Sequence, residues 1–246
     1  MNDFKDHFSG HAGAYADYRP TYPDALFAAI AQVAPARRAV WDVGCGNGQA
    51  SVGLARHFDH VFATDASAQQ IAAAQAHERI DFRAAPAEHS GLDAASVDAI
   101  LIAQALHWFD FDAFYAEARR VAKPGAPIIA TAYELAQIAP EIDAEVRQFY
   151  KADIGPYWPA DRAHVETGYQ EIPWPFAPLN FTAISMNALW SLDQWLGYVT
   201  TWSAVRRYMA ATGKDPVPAL RAQLKPLWGN TPRAINWPLV IKAGRI

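Results

Sequence analysis

The chain has 246 residues, 52% of them hydrophobic and 13% aromatic, with a formal net charge of −4. That length suits one well-cored domain, and the absence of any long Lys or Arg run argues against a nucleic-acid backbone as the main partner. A lone cysteine, Cys45, excludes an internal disulfide, the first residues carry no apolar leader segment, and no apolar run approaches the ~18 residues of a membrane span, so a cytoplasmic protein without a membrane segment is expected.

Residues 1–38 precede the first strand. Phe8, Tyr15 and Tyr18 lead into Arg19-Pro20-Thr21-Tyr22-Pro23, which breaks any helix, and Asp24 to Val33 then reads as a helix with Leu26, Phe27 and Ile30 on one face. No sheet requires such an aromatic arm. It either packs on the surface or forms a lid over a ligand, with Tyr15, Tyr18 and Arg19 at the ligand's end.

Ala39 to Val43 reads as the first strand and runs into Asp42-Val43-Gly44-Cys45-Gly46-Asn47-Gly48, the order of strand, tight turn and helix. The turn needs glycine to visit positive φ and to let a ligand approach. Its spacing is not that of the dinucleotide pattern G-x-G-x-x-G, whose third glycine would fall on Gln49. A carboxylate at Asp42 would repel a pyrophosphate and suits a ligand with a sulfonium or ammonium group. Val61 to Asp65 is the second strand, and its terminal acid can accept hydrogen bonds from both hydroxyls of a ribose. Ser67 and Gln70 have capping-box spacing, so a helix is expected through Ile71 and Ala74.

Asp42-x-Gly44-x-Gly46-x-Gly48, with Asp65 closing the next strand, resembles motif I of class I S-adenosylmethionine-dependent methyltransferases of type 11. The resemblance implies S-adenosyl-L-methionine as cofactor and S-adenosyl-L-homocysteine as product. Asp65 would hold the ribose, and Gly44, Cys45, Gly46 and Gly48 would pass beneath the methionine portion, with Asp42 and Ala66 beside it. Related small-molecule methyltransferases carry a similar Y-x-x-x-R-P-x-Y-P stretch, which supports a lid placing Tyr18 and Arg19 on the cofactor and Tyr15 near the acceptor.

Ile80 to Ala84 reads as the third strand, followed by Pro86, Ala87 and Glu88 where this family lines the adenine pocket; Glu88 could equally be a surface acid. Val97 to Ala103 is the apolar run expected of a central parallel strand. Gln104, His107 and Trp108 follow at the carboxyl end of that strand, which borders the ligand crevice in a doubly wound sheet. The [Asp/Asn]-Pro-Pro-[Tyr/Phe] segment typical of base-modifying amino methyltransferases is missing. Asp110 can cap a helix with Phe111, Phe114, Tyr115, Ala118 and Val121 on one face. Arg119 to Gly125 resembles the R-x-L-K-P-G-G segment of the superfamily, and Ala126 to Tyr133 is the fifth strand.

Beyond residue 133 the alternation stops. A helix is expected over Glu141 to Asp153, an ordered Pro/Trp-rich segment over 154–179, and strand character from Asn180 to Met186. Ser191 and Gln194 form a second capping box before Trp195, Tyr198 and Trp202, which read as a core stripe. A helix over Pro218 to Trp228 and a strand over Ile235 to Ala243 follow. The expected protein is thus a single α/β domain, 1–246, with a lid (1–38), a cofactor-binding core (39–133), cap elements (134–179 and 187–234) and closing strands (180–186 and 235–246). The resemblance implies a doubly wound, mainly parallel, seven-stranded Rossmann-like sheet ending in an antiparallel hairpin. His107-Trp108-Phe109-Asp110, Thr201-Trp202-Ser203 and the N-terminal stretch look most like the subgroup related to trans-aconitate methyltransferases, which acts on small acids.

Methyl transfer from a sulfonium is an in-line displacement in which positioning supplies much of the acceleration. A carboxylate acceptor is already ionised and needs cationic groups to hold it, whereas an alcohol, phenol or carbon acceptor usually needs a base. His107 is the candidate for either role. Trp108 and Trp202 are candidate acceptor contacts, and one of Arg206 and Arg207 could clamp a carboxylate, since adjacent helical residues point about 100° apart. The expected partner is a small molecule, and nothing in the pattern sets an oligomeric state. His7 and His11, like His57 and His60, lack a third ligand, so no metal is expected. A nicotinamide-dependent oxidoreductase and a non-catalytic methyltransferase-like binding protein are the alternatives.

Overall fold

The computed structural model of the protein describes residues 19–246. The expected lid residues Tyr15 and Tyr18, and His7 and His11, lie outside the described residues. Helix α1 (Asp24–Val33) leads into β1 (Ala39–Val43), α2 (Gln49–Leu54), β2 (His60–Asp65), α3 (Ala68–Ala72), β3 (Ile80–Ala84), β4 (Ala99–Ala103), α4 (Phe111–Val121) and β5 (Pro127–Tyr133). The cap then contributes α5 (Pro140–Gln148), α6 (Arg162–Glu166), β6 (Ala177–Pro178), β7 (Ser185–Trp190), α7 (Leu192–Thr200), α8 (Ser203–Thr212) and α9 (Val217–Trp228), and β8 (Arg233–Arg245) closes the order.

The sheet runs β3-β2-β1-β4-β5-β8-β6, with β7 paired to β8 off that path. The first five strands are parallel, in a register that sets Asp42 beside Ala63 and Leu101. Alternation then sorts the side chains between the two faces. Trp41, Val43, Ile100, Ile102 and Ile128 meet Phe114 and Tyr115 of α4 on one face. Val40, Val61, Leu101 and Ile129 meet Leu26, Phe27 and Ile30 of α1 and Leu54 of α2 on the other.

Lys123, from the segment that ends α4, ties the sheet together at its lower end. Its Nζ donates to Oδ1 of buried Asp98 at 2.7 Å, while Oδ2 accepts from the backbone N–H groups of Arg38 and Ala39 at 2.8 and 2.9 Å. Burial pushes the Asp98 carboxyl up, but the Lys123 ammonium and the two backbone N–H groups together hold it below its ordinary range.

The cap has a core of its own. Ile142, Val146, Phe149 and Tyr150 pack against Trp195, Tyr198, Trp202, Leu220, Trp228 and Trp237. The helix expected to reach Asp153 instead ends at Gln148 and relaxes into a wide turn over Phe149–Asp153. The expected strand over 180–186 is shifted: β7 begins at Ser185 and pairs with the N-terminal half of β8, and the outer place in the main sheet falls to the two-residue β6. The cause is visible in β8, whose 13 residues serve β5 and β6 with one half and β7 with the other. Among the described residues no helix is long and apolar enough to cross a membrane.

Candidate active site

The glycine turn after β1 lies at the upper end of the sheet. Gly44, Gly46 and Gly48 have φ of +68°, +56° and +87°, values that glycine alone adopts without strain. The N–H groups of Gly44 and Cys45 donate to the Thr64 carbonyl at 2.8 and 3.0 Å, which fastens the turn to β2. A Cβ on Gly44 would lie 2.5 Å from that of Ala105, and one on Gly48 would lie 2.5 Å from the Phe82 ring. A Cβ on Gly46 would meet nothing closer than 3.9 Å, so this glycine leaves open space in the cleft above it.

Two of the carboxylates that line that cleft, Asp42 and Asp65, stand beside the glycine turn. Asp42 is fully buried; its Oδ2 accepts from the Ser51 hydroxyl at 2.6 Å, and its Oδ1 has no partner among the described residues. Burial, reinforced by the nearby Asp65 charge, pushes the Asp42 carboxyl up to about 7 despite the Ser51 bond. Asp65 accepts from the Gly46 N–H through Oδ2 and from the Ser67 N–H through Oδ1, both at 2.8 Å. It therefore braces the turn, a structural role its place at the strand end did not announce. A carboxylate oxygen can accept more than one hydrogen bond, the property a ribose hydroxyl would use.

The cleft has a volume of about 1600 Å³ and is lined by Arg19, Asp42, Gly44, Cys45, Gly46, Gly48, Asp65, Ala66, Pro86, Ala87, Glu88 and Gln104. The orphaned Asp42 oxygen, the open space over Gly46 and the strand-end acid together fit a ligand with a cationic portion and a ribose. Glu88 also accepts from the Asp110 N–H at 2.9 Å, which joins the cleft's far wall to the start of α4. Burial raises the Cys45 thiol well above its ordinary range, so it stays protonated in the turn.

Gln104, at the end of β4, has φ of +58°, a left-handed conformation for a residue with a side chain. Its N–H donates to Thr131 O and its side-chain amide to Tyr133 O, so β5 holds the strained turn in place. A short 3₁₀ turn over Leu106–Trp108 follows and delivers His107 and Trp108 to the cleft. His107 is 8% exposed, and its Nδ1 lies 3.0 Å from the hydroxyl of Tyr169. Burial, with help from the Arg162 and His164 charges, lowers the imidazole to about 3, so it is neutral at physiological pH.

Beside His107 a side chamber of about 70 Å³ opens, lined also by Arg19, Gln104, Trp108, Tyr133, Tyr150, Trp158, Arg162, Tyr198 and Trp202. Arg162 is the cation that the sequence reading missed. Its Nε donates to the Tyr150 hydroxyl at 2.9 Å, Tyr150 in turn donates to Glu166 at 2.6 Å, and the guanidinium lies 5.1 Å from the Trp158 ring. Neither Nη group has a partner among the described residues. Arg19 donates to the Tyr133 hydroxyl at 2.8 Å and lines both cavities.

Trp108 and Trp202, expected at the acceptor, do line the chamber, and Tyr198 joins them although it reads as core. Trp195 is wholly buried in the cap. Arg206 and Arg207, the expected clamp, sit on α8 and line neither cavity. Trp202 ends the turn before α8, so the chamber receives the N-cap of that helix rather than its second turn. Arg162 lies in the Pro/Trp-rich stretch, where no periodicity predicts which side chain points inward.

The family described as "Methyltransferase domain" matches residues 41–130. A Dictyostelium discoideum protein assigned as a methyltransferase is 32% identical over 225 residues, covering 90% of this chain and 86% of its own. The structure of an Anaeromyxobacter dehalogenans protein assigned as a type II methyltransferase is 46% identical, with a TM-score of 0.87 over 93% of this chain and 98% of its own. The Bacillus subtilis YcgJ protein, at 15% identity and a TM-score of 0.51, shares the fold alone.

Proposed function

From the premise that the chain belongs to the class I S-adenosylmethionine-dependent methyltransferases, we propose that its acceptor is a small carboxylic acid, esterified in the chamber beside His107. Family membership sets aside the nicotinamide alternative, and S-adenosyl-L-methionine is the cofactor. When bound, it supplies an electrophilic methyl group on a positively charged sulfur. In this reading Asp65 accepts from the ribose hydroxyls, Asp42 offers its unpaired oxygen to the cationic portion, and Pro86, Ala87 and Glu88 border the adenine.

One observation carries the choice of acceptor: among the described residues, Arg162, in the wall of the chamber, has no hydrogen-bond partner for either Nη group and no carboxylate within 4.0 Å. A guanidinium so placed matches a carboxylate in planar, bidentate fashion. Trp108, Trp158 and Trp202 line the chamber with it, and His107 lines both the chamber and the cofactor cleft. The likeness of His107-Trp108-Phe109-Asp110 to trans-aconitate methyltransferases supports the same class.

The test offers methyl-labelled S-adenosyl-L-methionine with a panel of small mono-, di- and tricarboxylic acids, trans-aconitate among them, and treats the products with mild base. Base-labile label is the expected result. Label recovered only in base-stable products of alcohols, phenols or carbon acceptors would overturn the carboxylate reading.

A further inference from the structure

We propose that Tyr169 is a positioning residue whose hydroxyl donates to Nδ1 of His107 and holds the imidazole in the tautomer that presents Nε2–H to the acceptor. The 3.0 Å contact admits two arrangements, and hydrogen-bond accounting separates them. Tyr169 is fully buried, and its hydroxyl has His107 as its sole partner among the described residues. Were Nδ1–H the donor, the phenol O–H would be left buried with no acceptor, at the full desolvation cost of an orphaned group. With the phenol as donor, both groups are satisfied, and Nε2–H is the ring hydrogen left for a ligand on a side chain that lines both cavities. Burial raises the Tyr169 hydroxyl above its ordinary range and keeps the imidazole neutral, with Arg162 and His164 as the charged or titratable neighbours.

The backbone is arranged to hold Tyr169 in that place. Gly168 and Tyr169 both have φ of +60°, a conformation a tyrosine takes only when its surroundings impose it. Backbone bonds from Gly168 N–H to Val165 O and from Tyr169 N–H to His164 O close this turn, and Lys242 of β8 fastens it: its Nζ donates to the carbonyls of Tyr169 and Ile172 at 2.8 and 2.6 Å, and its residue pairs with Ala130 of β5. The chain of contacts from the sheet to His107 is thus Lys242, the Tyr169 backbone and the Tyr169 hydroxyl.

The tautomer restricts the chemistry. Nε2–H can donate to an acceptor oxygen but cannot remove a proton from one. The site then selects acceptors whose nucleophilic oxygen arrives ionised, a substrate class that rests on the carboxylate reading above. Atoms and charge balance without a base: the carboxylate oxygen forms the O–C bond as the C–S bond breaks, the electron pair goes to sulfur, and a neutral ester and a neutral thioether result.

Two-bond ¹H–¹⁵N spectra of ¹⁵N-labelled full chain with S-adenosyl-L-homocysteine test the assignment, with His107 identified by its loss in His107→Asn. The expected pattern is an unprotonated Nδ1 and a protonated Nε2, and Tyr169→Phe should convert it to a mixture of tautomers. Tyr169→Phe should also lower kcat on the acid by roughly tenfold with little change in KM. An Nδ1–H pattern in the wild-type protein overturns the proposal, and so does a His107 pattern unmoved by Tyr169→Phe. The wild-type spectrum decides alone if the variant does not fold. An Nε2–H pattern together with failure of every acid in the transfer assay would overturn the carboxylate reading and leave the tautomer assignment standing.

Discussion

Asp42 takes a 2.6 Å hydrogen bond from Ser51 on one carboxylate oxygen and leaves the other, equally buried, with no partner among the described residues. Burial holds the group at about 7, far above its ordinary value of 3.8. A cationic ligand favours the ionised form, so binding of S-adenosyl-L-methionine should release a proton and strengthen as pH rises through 7. The expected loss between pH 8 and pH 6 is about tenfold in affinity, read by calorimetry. Asp42→Asn should weaken binding at pH 8 and flatten the profile. The free protein should show the opposite sign in stability: between the two pKa values the folded state holds the extra proton, so stability falls as pH rises across that window. A pH-independent wild-type affinity would remove Asp42 from the cofactor's charged portion.

Asp65 couples the turn to the ribose. Asp65→Ala should weaken cofactor binding by about 1.5–3 kcal/mol, the worth of hydrogen bonds to a charged group. Because Asp65 also accepts from the N–H groups of Gly46 and Ser67, the variant should melt lower even without cofactor. Unchanged affinity by calorimetry would mean that the ribose lies elsewhere.

Arg162→Met keeps an unbranched apolar stem against Trp158 while removing the guanidinium. It should raise KM for the acid about 10- to 100-fold, the scale of a lost charge-assisted pair, and leave cofactor affinity unchanged. Arg206→Met, at a residue that lines neither cavity, should change KM far less. Equal effects from both variants would count against the chamber as the acceptor site.

Gly48 and Gly46 separate packing from access. Gly48→Ala forces a Cβ to 2.5 Å from the Phe82 ring at φ of +87° and should cost about 2–4 kcal/mol in chemical denaturation. Gly46→Ala, with open space around it, should cost only about 1–2 kcal/mol, the strain of its positive φ, yet impair cofactor binding more than Gly48→Ala does. Identical stability losses would show that the Phe82 ring yields freely.

The first five strands and the cofactor turn were legible because parallel strands buried on both faces read as short apolar runs, and their glycines and terminal acids mark where the backbone turns. The capping residues Ser67, Asp110 and Ser191 were legible for the same local reason, and each accepts from the expected backbone N–H. The cap was not. Arg206 and Arg207 were attractive because they follow Trp202 in sequence, but the helix begins at Ser203 and carries them away from the chamber wall. Arg162 opens the five-residue helix α6, too short to show a period of 3.6, and Tyr169 follows it, reaching His107 through a backbone conformation that no side-chain pattern encodes. Long-range partners such as Lys242, 73 residues beyond the carbonyl it holds, leave no local trace at all.

The place of β8 also sets a timetable for synthesis. All seven residues of β5 are buried, yet one edge of that strand is paired, among the described residues, with residues 239–245 of β8 alone. On a ribosome adding residues in order, the edge waits on the order of ten seconds for its partner, while the whole cap is made. During that interval the nascent chain presents an apolar strand with unpaired N–H and C=O groups, a template for pairing with other chains. Yield in the cell should therefore respond to translation speed and to chaperones that shield strand edges, even for variants whose finished fold is unchanged.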